Sequence, residues 1–76
     1  SDPIVAGVAR VAARYQLSPR EAEVCEYLAR GRSQTYIREA LFLSKNTVAT
    51  HVRRIYTKLD VHSKQELIDL VEDQEE

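Results

Sequence analysis

In the stretch LSKNTVATHVRRIYTKL, residues 43–59, the cations Lys45, Arg53, Arg54 and Lys58 are interleaved with Asn46, Thr47 and Thr50. Ammonium and guanidinium groups spaced along one element with short polar side chains between them suit a polyanion. Such cations neutralise phosphates, while an arginine or threonine can reach donors and acceptors at base edges. At helical spacing, Val48, His51, Val52, Ile55 and Leu59 make an inner stripe, and Asn46, Ala49, Thr50, Arg53 and Thr57 lie opposite it. Lys45, Arg54 and Lys58 sit at the flanks. The reading face thus predicts base contacts from Thr50, Arg53 and Ala49. The positions better placed for phosphates are Lys45, Asn46, Thr47, Arg54 and Lys58.

Other chemistries find less support. The single cysteine makes no internal disulfide, and two histidines give no zinc-binding spacing, so no metal and no cofactor is expected. His51 has no carboxylate or cysteine at matching spacing; it is expected to pack at a helix–helix boundary and to hydrogen-bond a backbone group or phosphate. Cys25 falls on an apolar stripe and reads as a small core residue. Tyr15, Tyr27, Tyr36 and Tyr56 are not spaced as a platform for stacked bases, which argues against single-stranded nucleic acid. No enzyme is indicated.

The formal net charge of −1 over 76 residues conceals segregation along the chain. Residues 30–64 carry eight basic and two acidic side chains, whereas residues 65–76 carry six acidic and no basic ones. A local basic surface beside an acidic tail is compatible with a polyanion-binding face on a near-neutral protein. The longest apolar runs are far short of the roughly twenty residues that span a bilayer, and no signal peptide is visible. A cytoplasmic setting without membrane contact is therefore expected.

The elements that must position the basic face are all helical, because strand runs and Asn-Gly or Asp-Gly hairpin signals are missing. Asp2-Pro3 opens a first segment with Ile4, Val8, Val11, Ala12 and Tyr15 on one face, weakened by Gly7. Ser18-Pro19-Arg20-Glu21 forms a capping box ahead of a stripe of Leu17, Val24, Cys25 and Leu28, and Gly31 stops that helix. Ser33 starts a short helix from about Gln34 to Leu41, with Ile37, Ala40 and Leu41 inward. Phe42-Leu43 turns the corner, and Ser44 caps the helix that runs to about Leu59. Ser63 with Glu66 predicts a second capping box and a last helix on Leu67, Leu70 and Val71. Its acidic end, Glu72 to Glu76, is at the wrong pole of the helix dipole and is expected to fray.

A short helix, a turn of about three residues and a longer helix with a basic outer face are the parts of a helix-turn-helix, whose second helix enters the DNA major groove. The segments LSPREAEV (17–24), LARGRS (28–33), Ile37, LFLS (41–44), NTVATHVRRIYTKL (46–59) and VHSKQELI (61–68) resemble the LuxR-type helix-turn-helix domains at the C-termini of bacterial transcription regulators. The resemblance covers roughly Leu17 to Val71. It implies an all-α, four-helix domain over residues 17–76, preceded here by a linker helix in residues 1–16. The third helix of that domain would read DNA, and the fourth would join two subunits of a DNA-bound homodimer. Surplus apolar positions Ile68, Leu70 and Val71 are the candidates for that dimer patch.

Two positions depart from the family pattern. Ala49 stands where a basic residue usually follows Thr-Val, which shifts specificity toward Thr50 and Arg53. Tyr36-Ile37-Arg38 replaces Glu-Ile-Ala, so Arg38 must lay its stem along the surface with its head outward. The partners implied are double-stranded DNA, a second copy of the chain, RNA polymerase, and an upstream sensor domain. A beginning at Ser1 rather than methionine points to an upstream portion that is missing. A sigma-factor-like DNA-binding region and a helical interaction module that has lost DNA binding are the alternatives.

Overall fold

The predicted starts are capped helices in the computed structural model, which describes residues 2–74. The helices are α1 Pro3–Tyr15, α2 Pro19–Ala29, α3 Gln34–Leu41, α4 Lys45–Leu59 and α5 Lys64–Asp73. Side chains of Asp2, Ser18, Ser33, Ser44 and Ser63 each accept an otherwise unsatisfied N–H of the first turn. At α2 the capping box is complete: Glu21 donates its N–H to Ser18 Oγ at 3.1 Å, and Ser18 N–H donates to Glu21 Oε1 at 2.9 Å. At α5 it is not. Glu66 N–H reaches Ser63 Oγ at 3.1 Å, but the Glu66 carboxylate accepts from His62 N–H at 2.8 Å, one residue before the cap.

The helix ends are equally local. Gly31 takes the left-handed conformation (φ 81°) that stops α2, as its lack of a Cβ allows. Gln16, Phe42 and Asp60 adopt the same conformation after α1, α3 and α4 without being glycine.

The core is one cluster to which all five helices contribute. Val11, Val24, Cys25, Ile37, Val48, Ile55 and Leu67 are fully buried, each removing apolar surface from water. Truncating Ile55 to alanine would cost about 2–5 kcal/mol, a large part of the stability of a domain this size. Ala40 differs from expectation: it is exposed, because α3 is covered chiefly by α4 and its far side faces water. Glu21, a capping residue by sequence, is only 4% exposed.

α1 joins the same core through Val8 and Val11 and packs on α2 and α5. Gly7 is the reason it comes so close. A Cβ built there would lie 2.6 Å from the carbonyl oxygen of Val71. Arg10 donates to the Gln74 carbonyl at the end of α5, placing a cation at the negative pole of that helix. This contact explains why α5 continues through Glu72 and Asp73 despite its acidic end; Glu75 and Glu76 lie outside the described residues. Among the described residues, no helix is long and apolar enough to cross a membrane.

Candidate nucleic-acid interface

Helix α3, the three-residue turn Phe42-Leu43-Ser44 and helix α4 form the helix-turn-helix unit. Ile37 and Leu41 of α3 meet the core stripe of α4, where Val48, Val52, Ile55 and Leu59 are buried. That burial fixes the rotation of α4 about its own axis, so the residues opposite the stripe must face outward. Asn46, Arg53 and Thr57 are exposed there, and Ala49 and Thr50 are half-buried. Lys45, Thr47 and Arg54 are exposed beside them. Local bonds stiffen the face. Ser44 Oγ donates to Thr47 Oγ1 at 2.9 Å, and Thr57 Oγ1 donates to the Arg53 carbonyl at 2.9 Å.

Lys58 requires a correction. Its ammonium is not directed at the outer face but donates to Glu21 Oε1 at 2.7 Å and to the Gln16 carbonyl at 3.1 Å. Burial alone would raise the Glu21 carboxyl, but the bonds from Lys58 and from Ser18 N–H outweigh it and hold the group below its ordinary value. Lys58 therefore ties the end of α4 to the start of α2. Two of the three ammonium donors are thereby engaged.

Val71 is the second correction. It is 1% exposed and lies under Gly7, inside the core, so it cannot form part of a surface patch. Leu70 is half-buried against the core, and Ile68 is half-buried outside the set of residues packed on it.

The distribution of bound and free cations sharpens the picture. Arg20, Arg30 and Lys58 are in ion pairs with acids; Arg10 and Lys64 donate to carbonyls; Arg14 and Arg32 lie over tyrosine rings. Arg38, Lys45, Arg53 and Arg54 have no such partner among the described residues, and all four lie on α3 and α4. Arg38 is half-buried with its Nε enclosed and unbonded, consistent with a stem laid against the protein.

Two clefts border α4, the larger of them between it and the start of α2. The larger, about 650 Å³, is lined by Ser18, His51, Arg53, Arg54 and Thr57 with the Glu21–Lys58 pair in its wall. The smaller, about 260 Å³, is lined by Asn46, Thr47, Thr50, His51 and Arg54. Sequence reasoning missed Ser18 as a neighbour of α4, because a cap signal says nothing about what packs beside it. It also missed the stack at the start of α3, where the Arg32 guanidinium lies 4.6 Å from the Tyr36 ring centroid and Tyr27 sits 5.8 Å beyond. The glycine-flanked Arg32 and the Tyr36 departure were its only visible traces.

Residues 15–71 match the family model described as bacterial regulatory proteins, luxR family. The Fimbriae Z protein of Salmonella typhimurium is 46% identical over 59 residues, covering 78% of this chain and 28% of that protein. An uncharacterized response regulatory protein of Escherichia coli, YgeK, is 43% identical over 63 residues, covering 78% of this chain and 43% of its own length. The oxygen regulatory protein NreC of Staphylococcus haemolyticus is 45% identical over 53 residues, 70% of this chain and 24% of that protein. The chain thus spans between about a quarter and less than half of these relatives. No solved structure matches.

Proposed function

Because this chain belongs to the luxR family of bacterial regulatory proteins, we propose that it binds duplex DNA sequence-specifically, as a homodimer, with α4 in the major groove. The observation that carries the reading is the set of unpartnered cations confined to α3 and α4. Elsewhere in the chain the cations are engaged by acids, carbonyls or tyrosine rings, whereas a free set gathered on two adjoining helices is available to a polyanion. Thr50 and Arg53 read base edges, Arg53 through two donors to a guanine, while Ala49 offers a methyl surface in place of a cation. Lys45, Asn46, Thr47 and Arg54 grip phosphates and set the register.

Ile68, with Leu70 beside it, forms the patch between subunits, and the small size of that patch makes DNA part of what holds the dimer together. YgeK is named as a response regulatory protein; by analogy, a sensor domain upstream of α1 supplies the input here. RNA polymerase is the partner on which bound DNA would place the regulator, in the cytoplasm.

Affinity for duplex DNA as a function of salt tests the core of this reading. The two cations on phosphates per subunit, Lys45 and Arg54, give log K a slope of roughly −2 against log salt. A chain that does not bind at low salt, or binds with no salt dependence, is instead a helical interaction module on the same fold.

A further inference from the structure

His51 stands between the two clefts. It is half-buried, lies on the flank of α4 turned to α2, and shares with Arg54 the ridge that both clefts border. Its Nδ1 is buried and meets no hydrogen-bond partner among the described residues. That isolation selects a tautomer. A buried N–H with no acceptor carries the full cost of desolvating a donor, and orphaned donors are rarer in folded proteins than orphaned acceptors. In the neutral ring the proton therefore belongs on Nε2, the nitrogen that is not enclosed.

The surroundings say what such a donor would meet. The larger cleft offers the guanidinium of Arg54 and the hydroxyl of Ser18, and the charge of Glu21 in its wall is already taken by Lys58 at 2.7 Å. What remains is a net positive recess that adjoins the reading face at Arg53 and Thr57, of a size for a phosphodiester and its sugar.

We propose that His51 is a positioning residue whose Nε2–H donates to a backbone phosphate of the bound DNA, seated in the cleft between α4 and the start of α2 together with Arg54. This inference rests on the DNA-binding reading above. It adds a contact on the flank of α4 and brings α2 into the interface, so that the angle of α4 in the groove is set from two helices.

Variants of the full chain separate the two nitrogens, because a glutamine amide nitrogen falls near Nε2 and an asparagine amide near Nδ1. His51→Gln is expected to bind duplex DNA within about threefold of the unaltered chain. His51→Asn is expected to lose about tenfold, on specific and random sequences alike, as befits a donor to a phosphate. Ethylating single phosphates along the duplex should find one position that weakens the unaltered chain but no longer weakens His51→Asn. Nitrogen-15 spectra of the free protein should show the Nε2–H tautomer, a measurement that needs no variant and stands even if one fails to fold. An Nδ1–H tautomer, an asparagine variant that binds like the unaltered chain, or a loss confined to one base pair would overturn the assignment. If the unaltered chain binds no DNA at low salt, the DNA-binding reading falls and this one with it.

Discussion

Replacing Lys58 by methionine keeps the unbranched stem out to Cε and removes the ammonium that holds Glu21. The carboxylate it would leave behind is 4% exposed and retains one strong donor, Ser18 N–H at 2.9 Å. Breaking a fully buried ion pair costs about 3–5 kcal/mol. The Lys58 side chain is itself 38% exposed, so water already screens part of the attraction, and about 1–3 kcal/mol is the expected loss. For a domain of this length that lowers Tm by roughly 5–20 °C.

The pH dependence supplies a second, sharper readout. Glu21 is held below its ordinary value, so its contribution to stability is present above about pH 4.5 and is lost as pH falls through the lowered folded value. In Lys58→Met the burial that raises the group is less opposed. The acid loss therefore shrinks, and the stability gap between the two proteins should be widest near pH 7 and narrow toward pH 3. Urea unfolding followed by circular dichroism across that range measures it. DNA affinity measured well below the unfolding transition should keep its salt slope. A variant as stable as the parent at pH 7 whose slope is smaller by about one would refute the tie to Glu21 and return Lys58 to the phosphates.

Gly7→Ala gains about 1 kcal/mol of helix propensity but drives a Cβ to 2.6 Å from the Val71 carbonyl oxygen, and overpacking costs about 1–3 kcal/mol. A net loss in thermal unfolding is expected, and a more stable variant would mean that α1 is not seated as described. Arg53→Ala should cost about 1–3 kcal/mol on the preferred sequence and relax preference at one base pair, whereas Arg54→Ala should weaken all sequences and reduce the salt slope by about one; competition with random duplex distinguishes them. Ile68→Glu should leave the far-ultraviolet spectrum intact and lower cooperative binding to paired half-sites, while Val71→Glu should unfold the chain. Burial pushes the Cys25 thiol up to about 12, so at pH 8 it should react with an alkylating reagent only after denaturation.

What could be read from sequence follows from how local each signal is. The starts of α2, α3 and α4 were legible because a serine cap and the N–H it accepts are three residues apart, and the end of α2 because Gly31 takes a positive φ with no Cβ to oppose it, whereas Gln16, Phe42 and Asp60 end their helices the same way without that signal. The outer face of α4 was legible for the same reason, since periodicity alone separates Arg53 from Val52. Partnership over distance was not legible. Glu21 and Lys58 are 37 residues apart, and nothing in either neighbourhood announces the pair. Gly7 looked like a defect in α1 until Val71 came to lie against it. The choice among Ile68, Leu70 and Val71 likewise depends on where α1 sits, which no periodicity within α5 can report. Ala40 was placed inward because the pattern cannot tell that α3 is covered mainly by one neighbour.

The seating of Gly7 on Val71, with Arg10 across the end of α5, fastens the first helix of the chain to the last. Neither end can then fray alone: releasing α1 uncovers Val71, and releasing α5 uncovers Val8 and Val11. In hydrogen exchange the two terminal helices should open as a single unit at high cost, while α3, resting chiefly on α4, opens at lower cost in the middle of the sequence. The usual order, stable centre and loose ends, is inverted. The first helix to open would then be α3, the shorter member of the helix-turn-helix, and the last would be the fastened pair α1 and α5.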